Sequence, residues 1–131
     1  MRRLARVAAF QSIYQMDMAK TDKDTALSYT VEENELSSQG QKMARKLVDG
    51  CHEHIAEIDQ VIEAISSSWK LNRMCSVDRN ILRMATYELM YTEVPVGVVI
   101  NEAVELAKAY GTDDSGKFVN AILDKVAKQK R

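Results

Sequence analysis

The chain has 131 residues, a formal net charge of −1, a single proline and 46% hydrophobic residues. This length fits one domain with a real hydrophobic core, and we expect residues 1–131 to form that single domain. Few glycines and abundant Ala, Leu, Glu, Lys and Met favour an all-helical protein. No segment is apolar enough for a signal peptide or a membrane span, so we expect a cytoplasmic protein with reduced cysteines.

The charges are unevenly distributed along this nearly neutral chain. Basic residues concentrate in 1–20 and 117–131, and acidic residues concentrate between these two segments. Such asymmetry can build a basic patch that attracts nucleic acid. A solvated helical surface explains the same charges about equally well.

The first predicted helix runs from about Arg2 to Ala19. One predicted apolar face of this helix comprises Leu4, Val7, Ala8, Gln11, Tyr14 and Met18. Arg2, Arg3 and Arg6 then lie on the other side, where they can donate forked hydrogen bonds to phosphates. Positive charge at a helix start opposes the helix dipole, and an anionic ligand would offset this cost. A frayed, solvated terminus is the alternative explanation.

The middle of the chain predicts two or three further helices. Residues 22–35 favour a short helix, and the turn-forming residues 37–40 can cap the long helix that follows from about Gln41. The apolar pattern slips between His54 and Asp59, which predicts a break, although one continuous helix also fits.

The connection to the last third of the chain follows this segment. We expect the serines at 66–68 to end the preceding helix. Trp69 and Leu71 are then expected to anchor the connection in the core.

Residues 77–128 predict three amphipathic helices with clear stops. Ser76 can cap the first of them, Pro95 forces a break, and Gly111 can close the second in a left-handed conformation. One of the residues 113–115 then caps the third helix. The residues expected to face inward are Ile81, Leu82, Ala85, Leu89, Val99, Ala103, Leu106, Tyr110, Phe118, Ala121, Ile122 and Val126.

Catalytic, metal and cofactor sites find little support in the sequence. Cys51, His52 and His54 lack the second ligand pair that a structural zinc site needs. The spacing Gly111-x4-Gly116-Lys117 approaches a phosphate-binding loop, but Phe118 stands where that loop needs Ser or Thr for magnesium. We therefore expect no catalytic residues, no metal and no cofactor.

The same turn can still hold a backbone phosphate. A helix start offers free N–H groups, and Lys117 lies beside it. An ordinary interhelical turn is the alternative. Tyr14 and Phe118 are aromatic residues near basic ones, as in proteins that stack unpaired bases, or they belong to the core.

Arg79 and Arg83 lie four residues apart on one predicted helix. They can form a cationic edge, or they can pair internally with Asp78 and Glu88. The sequence alone favours the internal pairing.

Four ordered motifs carry a resemblance to a known family. They are Arg2-Arg3-x-x-Arg6-x-x-x-x-Gln11-x-x-Tyr14, Asp78-Arg79-x-x-Leu82-Arg83-x-Ala85-x-Tyr87-Glu88-Leu89, Ile100-Asn101-Glu102-Ala103-Val104-Glu105-Leu106-Ala107-Lys108, and Tyr110-Gly111-x-x-x-Ser115-x-Lys117-Phe118-Val119-Asn120. With these motifs the chain resembles the bacterial NusB family of transcription antitermination factors. The resemblance implies an all-α fold of about seven helices in two packed subdomains and no enzymatic activity.

The resemblance also implies partners and site residues. Family members bind single-stranded boxA RNA of nascent ribosomal RNA transcripts jointly with NusE, a small-subunit ribosomal protein, within an RNA polymerase antitermination complex. The implied RNA-binding residues are Arg2, Arg3, Arg6, Gln11, Tyr14, Arg79, Arg83, Lys117 and Phe118. The implied partner-binding residues are Asp78, Tyr87 and Glu88. Two other readings stay open: the RNA-binding domain of a ribosomal-RNA cytosine methyltransferase, and a protein-interaction scaffold.

Overall fold

The computed structural model describes residues 2–67 and 69–131. Within these ranges it contains seven α-helices, one short 3-10 helix and no strand, which confirms the predicted all-α fold. The helices are α1 (Arg2–Met18), α2 (Lys23–Glu33), α3 (Ser38–Glu53), α4 (Ile55–Ile65), the 3-10 helix (Leu71–Arg73), α5 (Ser76–Tyr91), α6 (Val96–Tyr110) and α7 (Ser115–Lys130). None of the described helices is long and apolar enough to cross a membrane.

The chain divides into two compact units, and the first comprises Met1–Glu53. Helices α1, α2 and α3 of this unit pack on one another. The hydroxyls of Ser12 and Thr30 lie 2.7 Å apart and join α1 to α2 by a buried hydrogen bond. The buried apolar residues are Ala5, Ala8, Ala9, Phe10, Ile13, Ala26, Leu27, Leu36, Ala44, Leu47, Val48 and Cys51.

The second unit comprises His54–Arg131. Helix α5 is its centre, because α4, α6 and α7 all pack against it. Ten of the sixteen residues of α5 are buried, because neighbouring helices cover most of its circumference. The four predicted inward residues of α5, Ile81, Leu82, Ala85 and Leu89, are all buried.

The predicted face of α1 is wrong by a rotation about the helix axis. Leu4 and Met18, expected inside, are 48% and 49% exposed, whereas Phe10 and Ile13 are buried. Arg6 is only 3% exposed, although we expected it on the solvated side. The apolar residues of α1 are spread over most of its circumference, so their spacing alone does not define one buried face.

The predicted break after α3 is confirmed. Helix α3 ends at Glu53, His54 forms a turn, and α4 begins at Ile55. At the other end α3 starts at Ser38, earlier than expected, and the Ser37 hydroxyl accepts a hydrogen bond from the Gly40 N–H at 3.2 Å. Ser37 thus satisfies one of the unpaired N–H groups at the helix start.

The connection into α5 is anchored differently from the prediction. Leu71 is buried as expected, but Trp69 is 54% exposed, so its anchoring role is wrong. Ser66 ends α4 through a bond from its N–H to the Ile62 carbonyl, and Ser68 lies outside the described residues. Cys75, not Ser76, occupies the N-cap position of α5, and its side chain makes no capping hydrogen bond.

Arg131 closes the C-terminal end of α5. Its guanidinium donates to the carbonyls of Leu89 and Glu88 at 3.0 and 3.1 Å, and to those of Thr92 and Val94 at 2.6 and 2.5 Å. The last carbonyls of a helix lack N–H partners within it, and Arg131 supplies a donor to that of Leu89, whereas the Glu88 carbonyl also accepts from the Thr92 N–H and hydroxyl. A basic residue near the C-terminus therefore serves the fold.

The α5–α6 and α6–α7 connections partly match the predictions. Helix α5 ends at Tyr91 and Pro95 is the N-cap of α6, so the break at Pro95 is confirmed. Tyr110 and Ala121, expected inside, are exposed, and Phe118 is half-buried. The adjacent positions Ala107, Val119 and Leu123 complete the core in their place.

Candidate nucleic-acid interface

The first candidate contacts are the arginine side chains at the start of α1. Arg2 and Arg3 are exposed, and the first turn of α1 contains no acidic residue. Arg6 is buried and has an interaction partner, so the expectation of three arginines on one solvated edge is wrong for Arg6. Arg2 and Arg3 are exposed, so an external anion can reach them.

Gln11 and Tyr14 follow on α1 and are both half-buried. The Gln11 side-chain carbonyl accepts a hydrogen bond of 2.9 Å from the Asn34 amide, which fixes its orientation next to α2. The Tyr14 ring lies 6.1 Å from the Phe10 ring at an interplanar angle of 53°. Because Phe10 is buried, Tyr14 is held on one side by the core and keeps a partly accessible surface.

The start of α5 buries a carboxyl group. Asp78 lies in the first turn of α5 and is only 8% exposed, so little of its side chain is available to an external partner. Its Oδ1 atom has no hydrogen-bond partner among the described residues. A negative charge at a helix N-terminus is stabilised by the helix dipole, which offsets part of the cost of burial.

The two arginines of α5 contact the fold itself. Arg83 holds Asp59 of α4 in a two-pronged pair, from Nε to Oδ1 at 2.9 Å and from Nη2 to Oδ2 at 3.0 Å. Arg79 donates to the Leu71 carbonyl at 3.2 Å. Internal pairing was the favoured prediction, yet the partner found for Arg83 is Asp59 and was not anticipated. Residue 59 is too far along the chain for a spacing rule to connect it with residue 83.

The predicted partner-binding residues Tyr87 and Glu88 are buried, at 7% and 2% exposure. Tyr87 belongs to an aromatic stack in which its ring lies 5.6 Å from Tyr91 and 6.4 Å from His54. The Tyr91 hydroxyl donates to Glu57 at 2.5 Å. Burial, and then the hydrogen bond to Glu57, raise the pKa of Tyr91 to about 12. These contacts give Tyr87 a clear packing role.

The turn between α6 and α7 is unusually tight at Gly111. Its φ of −100° and ψ of −159° are extended, so the predicted left-handed conformation is wrong. Glycine is required for space instead: a Cβ atom there would lie 2.4 Å from the Ser115 hydroxyl oxygen and 2.8 Å from the Ala107 carbonyl oxygen. The Ser115 hydroxyl accepts a 2.9 Å hydrogen bond from the Thr112 N–H and holds the turn closed.

The charged residues of this turn point to solvent. Asp114 occupies the N-cap position of α7, but its side chain makes no capping hydrogen bond. Asp113, Asp114 and Lys117 are exposed, and Phe118 is half-buried beside them in sequence. The turn therefore presents one cation and two carboxylates around a helix N-terminus.

A shallow groove of about 590 Å³ runs between α6 and α7. Its apolar floor includes Ile100 and Val104, and its polar side chains come from both helices. The lining residues are Gly97, Ile100, Asn101, Val104, Lys108, Asp113, Gly116, Lys117 and Asn120.

Sequence reasoning found only Lys117 among the polar residues of this groove. Asn101 and Lys108 are seven residues apart and thus share a helix face, as do Lys117 and Asn120, three apart. That spacing was readable in the sequence. The sequence did not show that the two pairs line the same groove, because this depends on how α6 packs against α7.

The predicted site residues thus fall into two groups. Arg2, Arg3, Arg6, Gln11 and Tyr14 belong to the first unit. The others belong to the second unit: Asp78, Arg79, Arg83, Tyr87, Glu88, Lys117 and Phe118. Across residues 2–67 and 69–131, no cluster of three or more His, Cys, Asp or Glu side chains could hold a metal ion.

Comparisons with known proteins identify the class. The family model described as "NusB family" matches residues 3–128. The transcription antitermination protein NusB of Desulforamulus reducens is 48% identical over 130 residues, covering 98% of this chain and 91% of that protein. Among solved structures, T. maritima NusB superposes with a TM-score of 0.92 at 40% identity, covering 98% of this chain and 92% of that one.

A further solved structure is that of the antitermination factors NusB and NusE in complex with double-stranded RNA. It matches with a TM-score of 0.89 at 34% identity, covering 98% of this chain and 96% of that chain. The chain belongs to the NusB family of transcription antitermination proteins. This membership confirms the family resemblance and the prediction that the chain is not an enzyme.

Proposed function

We propose that this protein acts in transcription antitermination by binding single-stranded boxA RNA of nascent ribosomal transcripts jointly with NusE. The observation that carries the proposal is the start of α1, where Arg2 and Arg3 are exposed and the first turn contains no acidic residue. Cations at the positive end of a helix oppose the helix dipole, and a phosphate backbone offsets that repulsion.

The second unit supports the same function through the α6–α7 turn. The exposed Lys117 lies in the first turn of α7, where free N–H groups favour an anion. The half-buried Phe118 follows it and offers part of a ring surface for an unpaired base. Lys117 and Phe118 remain proposed RNA contacts on this basis.

NusE is the proposed protein partner, and Asp78, Tyr87 and Glu88 are proposed to shape its binding surface. Their burial indicates that they act by holding the surface of α5 in place more than by broad contact. Function on nascent transcripts, together with an RNA polymerase antitermination complex, places the proposed site of action in the bacterial cytoplasm.

The test is RNA binding by a variant with Arg2→Ala and Arg3→Ala. Affinity for boxA RNA should fall, and the slope of log K against log salt should flatten by up to about 1.4, since each lost phosphate contact on single-stranded RNA removes ~0.7. Fluorescence anisotropy across a salt series, with and without NusE, measures both quantities. Arg6 stays unchanged in this variant because it is buried and its removal would test packing.

The matched control carries Lys42→Ala and Lys46→Ala, which removes two exposed cations of α3 in the same unit. It should leave the affinity and the salt slope near those of the unchanged protein. Equal losses in both variants would mean diffuse attraction to any basic surface. Unchanged RNA binding in the arginine variant, with NusE binding intact, would replace the proposal by a protein-interaction scaffold.

A further inference from the structure

We propose that the groove between α6 and α7 is a second RNA subsite, in which Lys108 and Asn120 hold the nucleotide next to the one bound at Lys117. This inference rests on the proposed RNA-binding function and extends it from the turn into the groove. Lys117 belongs to both places, because it lies in the first turn of α7 and also lines the groove. A single RNA strand bound at the turn therefore continues into the groove along the protein surface.

The polar groups of the groove are available for an external ligand. Asn101, Lys108, Lys117 and Asn120 are all exposed, and none of the four makes a hydrogen bond or ion pair with any residue the structure describes. Elsewhere on α7 the exposed Lys128 already pairs with Asp124 at 3.1 Å. The groove thus keeps both of its cations unpaired while a neighbouring lysine is matched.

The chemistry of the groove fits a nucleotide better than an acidic peptide. A peptide carboxylate needs only the two lysines, whereas the two asparagine amides each add both donors and an acceptor, as a base edge requires. The half-buried Ile100 and Val104 supply an apolar floor between them. Gly97 has nothing within 4 Å of an added Cβ, so a backbone can approach closely at that end of the groove.

Asp113 is the one carboxylate that lines the groove. Its negative charge repels a phosphate at the end of the groove where α7 begins. The subsite should therefore place a base, not a phosphate, beside Asp113, with phosphates at Lys108 and Lys117. Asp113→Asn should consequently change affinity less than Lys108→Ala does.

The experiment compares Lys108→Ala with Asn120→Ala against the control Lys125→Ala, all measured with boxA RNA. Lys125 is an exposed lysine of α7 that does not line the groove. Lys108→Ala should weaken binding about 3- to 10-fold and lower the salt slope by ~0.7, the value of one phosphate contact. Asn120→Ala should weaken binding with the slope unchanged, and Lys125→Ala should change affinity less than 2-fold.

A photo-crosslinking residue supplies an independent readout. Placed at position 101 it should crosslink to RNA, and placed at position 105, an exposed position of α6 outside the groove, it should not. Both measurements use NusE-bound protein and are repeated with double-stranded RNA of the same sequence. Thermal unfolding checks that each variant is folded, as expected because none of the groove side chains bonds to a residue that the structure describes.

The outcomes separate this inference from the proposed function. Groove variants that bind RNA normally, in a protein whose Arg2 and Arg3 variant loses RNA, would overturn the subsite and leave the function standing. Normal RNA binding by both sets would overturn both. Groove variants that lose NusE but keep RNA would assign the groove to a protein partner and would overturn the subsite as well.

Discussion

The start of α1 and the turn between α6 and α7 differ in the charge and the backbone geometry that they offer to a phosphate. The start of α1 offers mainly positive charge, since Arg2 and Arg3 are exposed and its first turn contains no acidic residue. The α6–α7 turn offers a fixed backbone and little net charge, because Gly111 and Ser115 hold the turn and its exposed charges are Lys117, Asp113 and Asp114. The comparison teaches that the first region should govern the salt dependence of RNA binding and the second its register.

The largest effect is expected from Gly111→Ala, which distorts the turn between α6 and α7. The added Cβ would lie 2.4 Å from the Ser115 hydroxyl oxygen, so the turn must shift. Overpacking of this kind costs about 1–3 kcal/mol, and RNA affinity should fall with little change in salt slope. Thermal unfolding and anisotropy measure the two effects. Gly97→Ala is the control, because its Cβ would meet nothing within 4 Å; equal stability of the two variants would contradict the prediction.

The next prediction tests whether the arginines of α5 take part in RNA binding. Asp59→Asn removes the charge that holds Arg83, whose pair is largely shielded at 15% and 26% side-chain exposure. We expect a loss of about 1–2 kcal/mol of folding stability, below the value for a fully buried pair. RNA affinity should stay unchanged.

The control for this pair is Asp124→Asn, which breaks the exposed pair with Lys128 at 75% and 55% exposure. That variant should unfold at nearly the same temperature as the unchanged protein. Tighter RNA binding by Asp59→Asn would show that Arg83, once released, contacts RNA, and would move α5 into the interface.

A smaller effect concerns the negative charge of the α6–α7 turn. Asp114 is exposed and makes no capping hydrogen bond, so Asp114→Asn removes a charge without removing a cap. Binding to boxA RNA should tighten by about 0.5–1 kcal/mol, and this gain should shrink as salt rises. Phe118→Asp should do the reverse and weaken binding. Weaker binding by folded Asp114→Asn would place the RNA path elsewhere, or make Asp114 a hydrogen-bond acceptor for RNA.

The smallest effect is on the acid stability of the first unit. The Asp22 carboxylate accepts hydrogen bonds from the N–H and the hydroxyl of Thr25, both at 3.0 Å, and the N–H bond is the main reason its pKa lies below the ordinary 3.8. A lowered pKa means that this cap stabilises the fold above pH 3.8 and is lost as pH falls through the lowered value. Asp22→Asn caps a helix about equally well without titrating. Its stability should therefore decline less steeply at acid pH, as circular dichroism melts would reveal; a parallel decline would contradict the assignment.

Helix positions were predictable because their signals are local. The proline at 95, the pattern slip at His54 and the turn-forming residues at 37–40 each act within one turn, and the structure has a break or a cap at all three. The rotation of α1 was not predictable in the same way. The apolar residues of α1 lie on most sides of the helix, so the buried face depends on which side α2 and α3 cover.

The exposure of the proposed site residues was not predictable from the sequence. Arg6, Asp78 and Glu88 carry charges that usually lie at the surface, and all three are buried. Burial of a charge depends on partners far away in sequence, as the pair of Arg83 with Asp59 illustrates. The groove residues Asn101, Lys108 and Asn120 were missed for the same reason, since neither helix alone forms a groove.

The contacts of Arg131 have a consequence for how the protein opens locally. The last turn of a terminal helix normally frays, and its amides exchange with solvent almost freely. Here the side chain at the end of α7 is hydrogen-bonded to the carbonyls of residues 88, 89, 92 and 94. Opening at either place must therefore break bonds at the other. The amides of the final turn of α7 and of the α5–α6 connection should exchange as one cooperative unit, so the end of the chain reports on the integrity of its central helix.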